Sequence, residues 1–178
     1  MPLGLRPRAP RRRAAVLLGV VALAAGTVSC GSRAAEPQAR PGCITMKNLR
    51  EQQIGEVAGP LGGSTPGVGD SGVYLRELYD GGTSPAATVY GAGGVQLRQS
   101  DGHLLAYADE QIVFDDGTVQ AQGFYDLTDA TAGGSQYIPT IGATGVFHNK
   151  AGRLTFRTVQ PGREFSAEIQ MCPTGMFG

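Results

Sequence analysis

Apolar and polar residues alternate with a period of two along several stretches of this chain, as they do in β-strands that bury one face. The clearest stretch is 164–171, in which every odd-numbered residue is apolar and every even-numbered residue is polar. Residues 118–125 and 153–157 alternate in the same way. Each stretch therefore predicts a strand with one face toward a core and one toward water.

The stretch between Val73 and Tyr79 also alternates. Val73 and Leu75 share one face with Tyr79. Tyr74 and Arg76 fall on the other face. The apolar pair predicts that the first face is buried and that Arg76 is solvated.

Turn residues separate these strands at short intervals. Glycine recurs beside Asp, Asn, Ser or Pro at 80–82, 100–102, 115–117, 149–152 and 160–162. The pattern contains no convincing long helical period. Many short strands at such spacing are typical of an all-β sandwich or barrel.

Two cysteines bracket the strand-rich region, Cys43 at its start and Cys172 at its end. In an oxidising compartment such a pair is expected to form a disulfide, with two free thiols as the alternative. The bond would join the first strand to the last, and an up-and-down barrel makes those strands neighbours. We therefore predict an all-β, closed antiparallel barrel of about eight strands with an internal apolar cavity, in preference to a Greek-key sandwich.

Residues 1–30 predict an export signal. Five arginines and no acidic residue lie in 2–13, and the apolar run 14–25 follows. This run is shorter than the roughly 20 residues that span a bilayer, so a secretory signal is the better interpretation. Cys30 follows small residues, as the processed cysteine of bacterial lipoproteins does, which predicts lipidation there. Plain cleavage without a lipid is the alternative.

The remaining chain divides into a tether and one domain. Residues 31–42 have the small, polar, proline-containing composition of a flexible linker, and residues 43–178 form the predicted barrel domain. Without the leader arginines the chain is mildly acidic, so nucleic acid is not an expected partner. The predicted location is extracytoplasmic, either lipid-anchored at the outer face of the cell membrane or secreted.

The sequence offers little for metal or cofactor chemistry. His103 and His148 are isolated and the cysteines lack CxxC spacing, so no metal is predicted, and His103 is expected to be solvated in a turn. No phosphate-binding loop or G-x-S-x-G motif is present, and no cofactor is predicted. Asp115 and Asp116 are adjacent in a predicted hairpin turn, so we interpret them as turn residues and not as a catalytic pair.

The second half of the chain resembles a known family of barrels. Residues 112–125 resemble the strand–turn–strand hairpin of allene oxide cyclase-like and dirigent-like proteins, and residues 137–147 resemble their glycine-containing segment. Residues 154–159 and 165–171 are similar to the last two strands of that family. The resemblance covers residues 108–172 well and the earlier half loosely.

This resemblance implies an eight-stranded barrel that guides a cyclisation without a cofactor. Plant members close a cyclopentenone, and related actinobacterial members close polyketide rings, including 4+2 cycloadditions in spirotetronate and tetronate pathways. The plant enzymes use a first-strand glutamate beside an asparagine. Here Asn48 aligns with the asparagine but Met46 with the glutamate, so allene oxide cyclisation itself is not expected.

The candidate site residues follow from the expected cavity. Tyr125 and Tyr137 are the predicted cavity-facing hydroxyls and the candidate catalytic groups. The predicted substrate-binding residues are Phe114, Tyr125, Tyr137, Phe156, Phe165 and Met171. For all six, ordinary core packing is the alternative.

Two functions remain open on the sequence alone. One is a cofactor-free cyclase or isomerase that templates ring closure of a flexible, unsaturated, polyketide-like substrate. The other is a lipocalin-like envelope lipoprotein that binds or carries a hydrophobic small molecule. Both need the same cavity, whereas a barrel filled by its own side chains would favour a structural role. A homo-oligomer is left open because the family includes dimers and trimers.

Overall fold

The computed structural model describes residues 42–58 and 66–176 of the 178-residue chain. The predicted signal (1–30), the lipidation site Cys30 and all but the last residue of the predicted linker (31–42) lie outside the described residues and stay predictions. Within the described part, no helix is both long enough and apolar enough to cross a bilayer.

Eight antiparallel strands close into a barrel in up-and-down order, so that each strand pairs with its sequence neighbours and the last pairs with the first. The strands are β1 (Ile44–Ala58), β2 (Ser71–Tyr79), β3 (Ala87–Arg98), β4 (Leu104–Phe114), β5 (Gly117–Asp126), β6 (Ser135–Gly142), β7 (Lys150–Gln160) and β8 (Glu164–Pro173). A short helix, α1 (Leu127–Thr131), follows β5, and 3₁₀ turns occupy Gly145–Phe147 and Thr174–Met176. The predicted closed barrel is confirmed, and the Greek-key sandwich is wrong.

The predicted disulfide between Cys43 and Cys172 is present and links positions 129 residues apart in sequence. Next to it, Ile44 of β1 pairs with Met171 of β8, so the bond lies where the first and last strands meet. We call this the disulfide end of the barrel.

Large apolar side chains fill the disulfide end. Phe147, from the 3₁₀ turn before β7, is 2% exposed and packs on Phe114 with ring centroids 5.0 Å apart. Behind these rings, Ile112, Ile169 and Met171 are fully buried. This end is therefore a packed core with the interdigitation expected of protein interiors.

The opposite end, which we call the helix end, carries α1. Strands β5 and β6 pair only from Val119 to Ala121, and Pro139 has no N–H with which to continue the ladder. Helix α1 packs against the strands beside this gap. The helix is capped by Asp126, whose Oδ1 accepts a hydrogen bond from the backbone N–H of Asp129 at 2.8 Å.

His103 reinforces this cap. Its Nδ1 lies 2.6 Å from Asp126 Oδ2, and the hydrogen bond and charge of Asp126 raise the pKa of His103. The backbone N–H of Asp129 and the His103 ring lower the pKa of Asp126. His103 thus ties the β3–β4 turn to α1, a structural role that its place in a turn did not predict.

Candidate functional site: a cavity with a buried charged cluster

The barrel interior contains a cavity of about 470 Å³ toward the helix end. Its lining comes from β1, β2, β4 to β8 and α1, with Leu127 and Ala130 of α1 facing into it. A volume of this size lies within the usual range for small-molecule sites. The cavity is therefore large enough for an organic substrate.

One wall of the cavity is apolar. Ile138, Leu154 and Phe156 from β6 and β7 lie beside Tyr125 from β5. The Tyr125 and Phe156 rings meet edge to face, with centroids 5.2 Å apart and planes at 84°. This geometry is favourable for aromatic pairs and holds the phenol ring in place.

The other wall carries a buried charged cluster, which we define as Glu51, Tyr74, Arg76 and Glu110. Arg76 Nη1 donates to Glu51 Oε1 at 2.7 Å and lies 3.5 Å from Glu110 Oε1. Tyr74 donates its hydroxyl proton to the same Glu110 oxygen at 2.6 Å. Glu51 and Glu110 are 2% and 5% exposed, so one guanidinium compensates two buried carboxyl groups.

Two aromatic rings lie against the Arg76 guanidinium. Its central carbon lies 3.9 Å from the Tyr74 ring centroid and 4.5 Å from that of Phe165. Both distances are within the range of cation–π attraction. Arg76 is thus held by ion pairs at Nη1 and by contact with two aromatic rings.

Burial and charge shift the ionisation of this cluster. Burial, followed by the charge of Glu51, raises the pKa of Glu110 to about 7, although Arg76 and the Tyr74 hydroxyl act against this. Burial also raises the pKa values of Tyr74 and Tyr125, so both phenols stay neutral donors. For Arg76, burial lowers the pKa, but Glu51 and Glu110 outweigh it and the net shift is upward. A carboxyl group that titrates near neutrality is a feature typical of functional sites.

The raised pKa of Glu110 should be visible in the pH dependence of the free energy of unfolding. A carboxyl whose folded pKa is raised favours folding below its ordinary pKa of 4.5, and this contribution is lost as the pH rises to about 7. The shift corresponds to a loss of about 3 kcal/mol of unfolding free energy over that window. The side chain in Glu110→Gln does not titrate. The free energy of unfolding of this variant, relative to that of the wild type, is therefore expected to rise between about pH 4.5 and 7 and to stay at a constant difference above about pH 7.

Denaturant unfolding at several pH values measures this difference. Glu168→Gln is the matched control, because Glu168 lies between the buried Ala167 and Ile169 on β8 and therefore faces outward. Parallel stability curves for the wild type and E110Q would contradict the assignment.

Glycine on the neighbouring strand makes room for Tyr74. Tyr74 pairs with Gly91 of β3, and a Cβ at position 91 would overlap the Tyr74 ring atoms. The ring therefore lies across a strand position that has no side chain, and it reaches Glu110 on β4 from there. This packing explains how a side chain on β2 bonds to one two strands away.

Gly91→Ala is accordingly expected to displace the Tyr74 ring and to lower the unfolding free energy by about 1–3 kcal/mol, as overpacking does. Gly55→Ala is the control, because a Cβ at position 55 would meet Leu75 Cβ at an ordinary 3.6 Å. Thermal unfolding of the two variants compares them. Equal stability of both variants would show that the Tyr74 placement does not depend on Gly91.

The structure brings three of the six predicted substrate-binding residues to the cavity: Tyr125, Phe156 and Phe165. Phe114 and Met171 instead belong to the packed disulfide end, where Thr140 donates its hydroxyl proton to Met171 Sδ at 2.9 Å. Phe114 and Met171 are therefore core-packing residues, which was the alternative given for them from the sequence.

Tyr137 is not in the cavity. Its side chain is 64% exposed, whereas its neighbour Ile138 is 1% exposed and lines the cavity wall. Because successive residues of a strand face opposite sides, only one of the two can point inward, and the aliphatic side chain does. The prediction of a cavity-facing Tyr137 hydroxyl is therefore wrong.

The predicted apolar lining is present, but the sequence interpretation missed the charged cluster. On β2 the predicted faces are reversed: Val73 is 53% exposed, whereas Tyr74 and Arg76 line the cavity. On β1 the aligned Asn48 is exposed at a bulge with φ of 56°, and the inward carboxylate is Glu51. The cavity thus has a first-strand glutamate, though not where the alignment placed it.

Within the described ranges, no group of three or more His, Cys, Asp or Glu side chains is arranged to hold a metal ion. The cluster is instead a set of hydrogen-bonding groups around one guanidinium. It can bind a polar group of a ligand, and at Glu110 it can change charge near neutral pH.

The fold and the cavity place this chain in a defined family of proteins. The family of allene oxide cyclase barrel-like domains matches residues 50–171, so the chain belongs to it. Among curated proteins, no match to this chain is found.

Three solved barrels share 26% sequence identity with the chain. The exo-specific intermolecular Diels–Alderase AbnU has a TM-score of 0.67 over 72% of this chain and 96% of its own. The Diels–Alderase AbmU from Streptomyces koyangensis has a TM-score of 0.67 over 75% of this chain and 65% of its own. A nonspecific heme-binding cyclase that catalyses a 4+2 cycloaddition during neoabyssomicin biosynthesis has a TM-score of 0.66, over 72% and 66% respectively. The chain thus spans slightly less than two thirds of the last two proteins.

Proposed function

We propose that this protein is a cofactor-free cyclase that templates ring closure of a flexible, unsaturated, polyketide-like substrate. The observation that carries the proposal is the cavity of about 470 Å³, in which an apolar wall faces a hydrogen-bonding cluster. The likeness to three barrels described as Diels–Alderases or 4+2 cyclases supports it.

An intramolecular 4+2 closure forms two carbon–carbon bonds and transfers no proton. Much of its barrier is the entropy lost when a flexible chain brings diene and dienophile together, and confinement in a fitted cavity removes that loss before reaction. Ile138, Leu154 and Phe156 would hold the hydrocarbon and exclude water. The neutral phenol of Tyr125 would donate a hydrogen bond to a substrate carbonyl and polarise the dienophile.

The test is a ring-closure assay with residues 31–178 and a panel of linear polyenes that carry a diene and a dienophile. Some should end in an acidic tetronate or tetramate, others in a neutral amide and others in an amine. Closure faster than in buffer is expected for at least one substrate. Ala108→Leu should slow it by filling the cavity, whereas Ala92→Leu should not, because Ala92 lies exposed on β3. No acceleration for any polyene would contradict the cyclase proposal.

The alternative function is binding or transport of a hydrophobic small molecule by the same barrel. The enclosed apolar wall favours it, since a carrier needs burial but no reacting partner. Retention of a polyene without chemical change, at an affinity that Ala108→Leu reduces, would support the carrier over the cyclase.

The proposal also includes export and anchoring. We propose that residues 1–30 direct secretion and that Cys30 carries a lipid, so the barrel works outside the cytoplasm. Labelling with a radioactive fatty acid in a bacterial host is expected to mark the full chain and not its Cys30→Ala variant. Equal labelling of both would contradict lipidation.

A further inference from the structure

The residues that line the cavity include more acidic groups than basic ones. Among the described residues that line it, the ionisable carboxyl groups are Glu51, Glu56 and Glu110, and Arg76 is the one cationic side chain. Glu56 is exposed at the helix end, where solvent screens it, but Glu51 and Glu110 are buried. With both buried carboxyls ionised, the interior carries a net negative charge.

Arg76 is already paired with carboxylates, although its Nε has no hydrogen-bond partner among the described residues. Its Nη1 faces both carboxylates, at 2.7 Å and 3.5 Å, and the rings of Tyr74 and Phe165 lie against the guanidinium. A ligand carboxylate near this group would meet Glu51 and Glu110 at short range as well. Like charges at such distances in a buried site repel strongly.

Two buried side-chain atoms of the cluster have no hydrogen-bond partner among the described residues, Arg76 Nε and Glu110 Oε2. Glu110 is the carboxyl group of this pair. Its Oε1 receives the Tyr74 hydroxyl proton and faces Arg76, whereas its Oε2 is buried without a hydrogen-bond partner in the part of the chain that the structure describes. A buried acceptor left unsatisfied destabilises a protein unless a ligand satisfies it. The geometry thus leaves one buried acceptor, Glu110 Oε2, and one buried donor, Arg76 Nε, unpaired beside a cavity that already contains excess negative charge.

We propose that the polar end of the ligand is a cationic hydrogen-bond donor, a protonated amine, that binds Glu110 Oε2 while the hydrocarbon lies on the apolar wall. This rests on the proposed function, because it specifies the charge of the substrate that the cyclase or carrier takes. It narrows the substrate class from any unsaturated chain to amine-bearing ones and excludes those with an anionic head.

The binding of the amine should depend on the ionisation of Glu110. The charged or titratable groups that face Glu110 are Glu51 on β1, Tyr74 and Arg76 on β2, and Tyr125 on β5. Asp109, its neighbour on β4, adds negative charge from the outer face. Because Arg76 and the two phenols keep their protonation state near neutral pH, the amine should bind more tightly as the pH rises from about 6 to about 8.

The experiment compares decylamine, decanol and decanoate, which share one hydrocarbon chain and differ in the head group. Calorimetric titration of residues 31–178 at about pH 8 is expected to give amine binding about 10- to 100-fold tighter than decanoate, with decanol between them. E110Q should reduce amine affinity at least about 10-fold and leave decanol affinity nearly unchanged. The control Glu168→Gln, on the outward face of β8, should leave both unchanged.

The result that overturns the inference is decanoate binding as tightly as the amine, or no measurable amine binding. If the E110Q variant does not fold, amine binding to the wild type can still be measured as a function of pH. An amine affinity that does not rise between about pH 6 and 8 also overturns the inference. Failure of the proposed function is separate: ring closure can be absent while the amine preference holds, and ring closure of an anionic tetronate with no amine preference would overturn only this inference.

Discussion

Replacement of Arg76 by methionine is expected to lower the free energy of unfolding by about 3–5 kcal/mol at about pH 8. The substitution keeps a long side chain between Tyr74 and Phe165 but removes the charge that compensates Glu51 and Glu110. Two buried carboxylates would then face each other without a cation. For a domain of this size, such a loss should lower the melting temperature by about 10–20 °C.

Two controls separate the charge effect from a packing effect. The decrease should be smaller at about pH 5, because protonation of the buried carboxyls relieves the repulsion. The triple variant E51Q/R76M/E110Q should recover most of the stability at about pH 8, since a neutral cluster has no uncompensated charge. A single Arg76→Met variant as stable as the wild type at about pH 8 would show that Arg76 does not neutralise the cluster.

The barrel was predictable because the sequence features that indicate it are either local or involve a single pair of residues. The alternation of β8, the turn glycines and the two terminal cysteines each limit the topology, and a disulfide between first and last strands favours closure. The interior face of β5 was predictable for the same reason, with Val119 and Ala121 inward and Tyr125 at the cavity.

The charged cluster was harder to predict because its partners are distant in sequence. Glu51 and Arg76 are 25 residues apart, and Tyr74 and Glu110 are 36 apart. On β2, hydrophobicity alone favours an inward Val73, and only the carboxylates of other strands make an inward Arg76 stable. The pattern of apolar and polar residues along one strand contains no information about these charges on other strands.

Bulges on β1 also defeat simple alternation. Met46 and Leu49 pair with Ile169 and Ala167 of β8, with a register shift between them that reverses which residues face inward. Strict alternation from Met46 would turn Glu51 outward, whereas after the bulge it points into the barrel. An alignment that ignores the bulge therefore misplaces the first-strand carboxylate.

One sequence signal for the cluster was available on β4. Leu104, Ala106, Ala108 and Ile112 occupy alternate positions and are all buried, and Glu110 interrupts that apolar row. A carboxyl group in the apolar row of a strand is a candidate functional group, since burial of a charge needs a compensating partner.

Removal of the disulfide by the double substitution Cys43→Ser and Cys172→Ser is expected to lower the free energy of unfolding by about 5 kcal/mol. The bond closes a segment of 129 residues, and the chain-entropy contribution grows with the length of the closed loop. It also holds β1 against β8 at the seam that closes the barrel, so its loss favours opening where Ile44 pairs with Met171. Urea unfolding of residues 31–178 measures the change, and wild-type protein in excess dithiothreitol should match the variant.

The same variant distinguishes stability from function. The disulfide end is a packed core, whereas the cavity and its charged cluster lie toward the helix end. Ligand affinity and any ring-closure rate should therefore stay within about twofold of wild type at temperatures where the variant remains folded, because sites without shared partners act independently. A loss of unfolding free energy below about 1 kcal/mol would show that strand pairing alone closes the barrel. A large loss of ligand affinity in the folded variant would instead show that the shape of the cavity depends on the disulfide at the opposite end of the barrel.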